Sequence, residues 1–209
     1  VKDFCKKHGI TENVFFISVF GLTLGKYNFR KDAVFTTIYH GRNDSRLSET
    51  IGMLVKTLPV YCDFSGSTED GLLKLQQQLI NSMNNDIYPF AQISHEFNIK
   101  ADAMVIYQGD NFEFDNIGGE YAQEEPISLN MAKAPVSISI SIVRNKFVFE
   151  IEYRGDMYYE ETIKYLADNL EKAADGILRE YNPEDIRLMF EEETKMEDIP
   201  EHAGKTFVD

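Results

Sequence analysis

Val136-Ser137-Ile138-Ser139-Ile140-Ser141-Ile142 alternates residue by residue, and after Arg144-Asn145-Lys146 the alternation resumes with Phe147, Phe149, Ile151 and Tyr153. A period of two puts these apolar side chains on one side of an extended chain. The opposite side carries the serines and then Glu150 and Glu152. Two such runs joined by a short polar turn predict a β-hairpin with one apolar and one polar face. Directly after it, Tyr159, Ile163, Leu166, Leu170, Ala173, Ile177 and Tyr181 recur every three or four residues, which predicts a long amphipathic helix. A half-apolar sheet followed by a helix with one apolar stripe sets the class: α/β, with helices covering a sheet.

Upstream, the same reading predicts a helix over 11–26, capped by Thr11 and apolar on most sides, hence deeply buried. Strands are predicted over 33–39 and 53–61 from β-branched and aromatic content. Leu72, Leu75, Leu79 and Met83 mark a helix over 67–84, with Ser67 and Asp70 spaced as a capping pair. A short helix follows over 88–97 with Pro89 in its first turn, then a strand over 103–107. Residues 108–126 read as a loop holding at most one short strand. The order implies a mixed-sheet two-layer sandwich. Asn182-Pro183 stops the last helix, and the acidic stretch 182–204 reads as linker.

The chain has 209 residues, enough for a substantial core, with 43% hydrophobic and 27% charged residues. With 21 basic and 35 acidic residues its net charge is −14, the wrong sign for a nucleic-acid reader. No apolar run is long enough to cross a bilayer. Two cysteines without ligand or redox spacing favour free thiols in a reducing compartment, so a cytoplasmic location is expected. The four histidines show no metal-ligand spacing, and no phosphate-cradling glycine loop or nucleophile elbow is present. His40 and Cys62 offer a loose nucleophile–base combination.

One stretch is more specific. Gly41-Arg42 is followed, at fixed spacing, by Leu47, Ile51-Gly52-Met53, Val55 and Thr57-Leu58-Pro59, and further on by Tyr88-Pro89-Phe90. An arginine at a predicted strand end can reach into a crevice, and Gly52 allows close backbone approach. This pattern resembles the second half of nonribosomal peptide synthetase condensation domains. Gly52-Met53-Leu54 stands where epimerisation domains of the same fold carry Gly-Trp-Phe. The final Lys205-Thr206-Phe207-Val208-Asp209 resembles the opening of an adenylation domain.

The resemblance implies a chloramphenicol acetyltransferase-like fold of two lobes, with residues 1–181 as the C-terminal lobe, 182–204 as linker and 205–209 as the start of the next domain. Its implied activity is amide-bond formation between thioesters held on the phosphopantetheine of carrier proteins, with no cofactor bound directly. The implied partners are the N-terminal lobe, peptidyl carrier proteins and an adjacent adenylation domain. The family's His-His-x-x-x-Asp-Gly motif is not found in these residues, so no catalytic residue is expected in this chain. Arg42 maps onto an arginine that supports the active site by pairing with the aspartate of that motif. His40, Gly52, Lys56, Ser137, Ser139 and Ser141 are the candidate channel-lining residues. Lys56 stands where the family more often has Asn, and His40 where many members have a small residue. A noncatalytic docking scaffold and a coenzyme A-dependent acyltransferase of the same fold are the competing readings.

Overall fold

The computed structural model describes residues 1–42, 44–47, 49–109, 116–117, 120–121 and 134–188. The elements run α1 (Lys2–His8), α2 (Glu12–Tyr27), β1 (Asp32–Tyr39), β2 (Lys56–Asp63), α3 (Thr68–Asn84), α4 (Phe90–Phe97), β3 (Ala103–Gly109), β4 (Asn116–Ile117), β5 (Glu120–Tyr121), β6 (Val136–Val143), β7 (Lys146–Tyr153) and α5 (Glu160–Leu178). Five strands form one mixed sheet in the order β2-β1-β3-β6-β7, and β4-β5 is a separate two-residue pairing. The three inner strands are parallel, and the two edge strands run antiparallel to them.

Helices α2, α3 and α5 cover one face of that sheet, which makes the molecule a two-layer sandwich. Helix α2 lies between α3 and α5 on the sheet, which is why its apolar residues run around it rather than along one stripe. Phe15 and Phe35 are fully buried there. Each such side chain contributes roughly 1.5–3 kcal/mol relative to exposure. Phe16 joins the edge strand β7 to this core, meeting Phe147 at 4.8 Å and Phe149 at 5.4 Å between ring centroids.

Local chemistry explains the ends of the elements. Thr11 caps α2 by accepting from the Val14 N–H, and Ser67 caps α3 by accepting from the Asp70 N–H. The hairpin turns at Arg144 (φ 49°) and Asn145 (φ 62°), both left-handed, the geometry that suits the twist of adjacent strands. Two differences from the sequence reading stand out. The second strand begins at Lys56 rather than Met53, because β1 stops at Tyr39 opposite Lys56 and leaves nothing for 51–55 to pair with. Helix α1 is additional; Phe4 packs edge-on against Phe15 at 5.8 Å and Gly9 ends the helix at φ 64°.

The sheet face away from the helices is not uniformly polar. Pro59, Thr36, Met104, Ser137 and Glu152 are register partners in one row across all five strands. Thr36 and Ser137 are buried in it, and the Ser137 Oγ has no hydrogen-bond partner among the described residues. Ser139 and Ser141 are half-buried.

Residues 182–188, in the stretch expected to be linker, pack back on the helices and sheet before them. Ile186 and Leu188 are buried, Lys31 bonds Glu184 at 2.5 Å, and the Thr68 hydroxyl donates to the Tyr181 carbonyl at 2.6 Å. The remaining linker residues 189–204 and the segment 205–209 lie outside the described residues, as does most of the loop expected over 108–126. Among the described residues, no helix is long and apolar enough to cross a membrane.

Candidate functional site

The carboxyl ends of the parallel strands β1 and β3 carry Tyr39 and Gly109, and open α/β sheets bind ligands at such ends. At the end of β1, Tyr39 is buried and its ring lies 4.8 Å from that of exposed His40. Gly41 then turns the chain with φ 68°. The Arg42 N–H reaches back to His40, donating to its Nδ1 at 2.9 Å. Nδ1 is therefore turned to the chain's own backbone, and Nε2 is the ring nitrogen that this bond leaves free.

The Arg42 guanidinium turns toward the chain that follows it. Nη1 donates to the carbonyls of Leu47 at 2.7 Å and Thr50 at 2.8 Å, and Nη2 donates to the carbonyl of Gly52 at 3.1 Å. These bonds use three of the five guanidinium N–H donors. They gather a short 3₁₀ turn at Ser45–Leu47 and the following chain around one cation. Outside that brace, Ile51 and Met53 are fully exposed, and Val55 is half-exposed.

The other sequence-derived candidates separate into groups. Gly52 joins the Arg42 brace through its carbonyl, but a Cβ on it would meet open space. The close backbone approach expected at Gly52 therefore belongs to Gly41, whose position against Leu54 admits no side chain. Lys56 stands opposite Tyr39 in the sheet, and its Nζ binds Asp86 through Oδ1 at 2.9 Å and through the backbone carbonyl at 3.0 Å. This ties the start of β2 to the chain just after α3. Ser137, Ser139 and Ser141 sit on β6, which lies two strand spacings from β1, about 10 Å, with β3 between them. His40, Arg42 and Gly52 thus come together, Lys56 lies beside them, and the serines form a distinct row.

The His40–Cys62 combination is ruled out. Cys62 pairs with Ala33 at the far end of β1, so seven residues of strand, about 23 Å, separate it from His40. Cys62 is also buried under Gly21 of α2, and burial pushes its thiol far above the usual range. Among the described residues, no three His, Cys, Asp or Glu side chains are placed to hold a metal ion.

Two features went unseen in the sequence. Asp86, the partner of Lys56, lies thirty residues away in an ordinary polar turn. A groove of about 580 Å³ opens between β2, α3 and α4, lined by residues including Pro59, Gln78, Asn81, Tyr88 and Ile93. Gln78 accepts the Tyr61 N–H at 3.2 Å, so a side chain stands in for a missing neighbour strand on that edge.

Known proteins give this geometry its context. Gramicidin S synthase 2 of Aneurinibacillus migulanus is 24% identical over 203 residues, covering 90% of this chain and 4% of that protein. Bacitracin synthase 1 of Bacillus licheniformis is 24% identical over 184 residues, covering 81% of this chain and 4% of that protein. The chain therefore spans only a small part of the length of either relative. A holo four-domain nonribosomal peptide synthetase bound to AMP and glycine has the same fold, with a TM-score of 0.78 at 13% identity over 92% of this chain and 17% of that one. The starter condensation domain of the rhizomide synthetase gives 0.69 at 12% identity over 85% of this chain and 44% of that one. The family described as Condensation domain matches residues 1–199, and by that match this chain belongs to the condensation domain family of nonribosomal peptide synthetases.

Proposed function

We propose that residues 1–181, with 182–188 packed onto them, form the C-terminal lobe of a two-lobed condensation domain. In this reading 205–209 opens a following adenylation domain. The domain joins an acyl or peptidyl thioester on one carrier protein to an aminoacyl thioester on another, each held on phosphopantetheine. The acceptor amine attacks the donor carbonyl; a C–N bond forms, the C–S bond breaks, and the departing thiolate takes up the proton the amine loses. Holding two thioesters in one channel supplies much of the acceleration. A histidine of the companion lobe assists the proton transfer. This lobe supplies the channel wall, with the Arg42 brace at one side and Ser137, Ser139 and Ser141 along the helix-free sheet face. Free, buried Cys5 and Cys62 fit a reducing, cytoplasmic setting.

The observation that carries the reading is the arrangement at His40. Its Nδ1 accepts the Arg42 N–H and so faces this chain's own backbone, which supports a proton acceptor supplied by the companion lobe. Purified 1–209, given two loaded carrier proteins, should yield no amide by mass spectrometry, while the parent synthetase does. Amide formed by 1–209 alone would refute the lobe reading. Ser139→Trp in the parent synthetase should slow condensation, and an unchanged rate would remove the serine row from the channel.

A further inference from the structure

We infer that Arg42 is a positioning residue that acts through its own lobe, setting the conformation of the 44–47 and 49–55 segments through the carbonyls of Leu47, Thr50 and Gly52. Apart from the Gly41 contact with the Leu54 backbone, the backbone hydrogen bonds of this stretch among the described residues are local. Ile51 and Met53 are fully exposed, so burial does not hold them. The turn bonds, Leu47 N–H to the Asp44 carbonyl at 2.9 Å and Thr50 N–H to the Leu47 carbonyl at 3.2 Å, are local and lie at the surface. Arg46 pairs with Asp44, two residues away, and so fastens the turn only to itself.

Three carbonyls spread over six residues therefore converge on one planar cation whose backbone follows directly on β1. Only a guanidinium presents donors in a rigid fork that reaches all three; an ammonium on a flexible stem is a point charge without that geometry. The consequence is a preorganised segment at the carboxyl end of β1 that carries the exposed side chains of Ile51, Met53 and Val55. This role differs from that of a counter-charge for a carboxylate outside this chain, whose removal would leave the Leu47 and Thr50 amides of the isolated chain as protected as before.

The isolated chain tests the structural half without reference to any synthetase. Arg42→Lys and Arg42→Ala should both speed amide hydrogen exchange at Leu47 and Thr50 by about tenfold or more, with exchange at Phe35 and Val105 in the core strands within about twofold of the parent chain. Unchanged exchange at Leu47 and Thr50 would overturn the inference. Equal acceleration at Phe35 and Val105 would overturn it too, because Arg42 would then hold the whole lobe. The functional half rests on the condensation reading. In the parent synthetase, turnover with Arg42→Lys should fall to within about threefold of Arg42→Ala, and near-wild-type turnover with Arg42→Lys would assign Arg42 to charge alone. If the parent synthetase makes no amide, the function reading fails while the exchange result stands.

Discussion

A Cβ added to Gly41 would stand 2.0 Å from the carbonyl oxygen of Leu54 and 3.0 Å from its carbonyl carbon. Both atoms are backbone, so no side-chain rotation relieves the contact. Gly41 also holds φ 68°, where other residues carry a conformational penalty of about 1 kcal/mol. The strain and the overlap act together, and Gly41→Ala should destabilise the chain by about 2 kcal/mol or more. The urea midpoint measures this. A loss below about 0.5 kcal/mol would mean that the Leu54 backbone moves aside freely.

Lys56 and Asp86 are both partly open to solvent, with side chains 39% and 20% exposed. Such a pair is worth little despite its 2.9 Å separation. A double-mutant cycle with Lys56→Ala and Asp86→Ala should give a coupling of about 0.2–1 kcal/mol. That coupling should shrink in about 1 M salt, where screening is strong. A coupling above about 3 kcal/mol would mark the pair as buried and structural.

The parts of this fold that were legible in the sequence are those written in periodicity. The Val136 to Tyr153 alternation, the stripe from Ile163 to Ile177, and the caps at Thr11 and Ser67 each act within one element, so a local pattern carries them. Helix α1 escaped because seven residues with only Phe4 and Cys5 as apolar members show no period, and the helix exists through packing on Phe15. At the site, Arg42 was visible as a residue but its partners were not. Carbonyls of Leu47, Thr50 and Gly52 are backbone atoms, and no side-chain identity announces them. The same holds for Gly41, whose need for a bare Cα comes from Leu54, thirteen residues on.

Gly176 and Ile186 show that the packed core continues past residue 181. A Cβ on Gly176 would lie 2.7 Å from Ile186 Cγ1, so the glycine forms a notch on α5 that the isoleucine fills. Ile186 is 4% exposed. Ile186→Ala should therefore cost about 2–4 kcal/mol, the range for emptying a buried isoleucine site. A chain ending at 188 should melt several degrees above one ending at 181, a shift of the size expected for such a loss in a chain of this length. Equal melting temperatures would return 182–188 to the linker.

The two thiols give a signature in alkaline solution. Burial, with the nearby Glu12 carboxylate, pushes Cys5 up from 9.0 to about 11, and burial pushes Cys62 higher still. In the unfolded chain both ionise near the ordinary thiol value. Well below pH 9.0 the thiols are neutral in either state, and their contribution to stability is fully present. As pH rises from 9.0 toward about 11, the unfolded chain releases thiol protons that the folded chain retains, so stability falls. Cys5→Ala/Cys62→Ala should flatten that part of the pH profile in urea titrations, even though the variant is less stable at neutral pH. Near pH ~8 the native chain should also resist alkylation at both positions, and unfolding should expose both. Rapid labelling of Cys62 in the folded chain would show that α2 opens from the sheet at Gly21, which the tight packing there forbids.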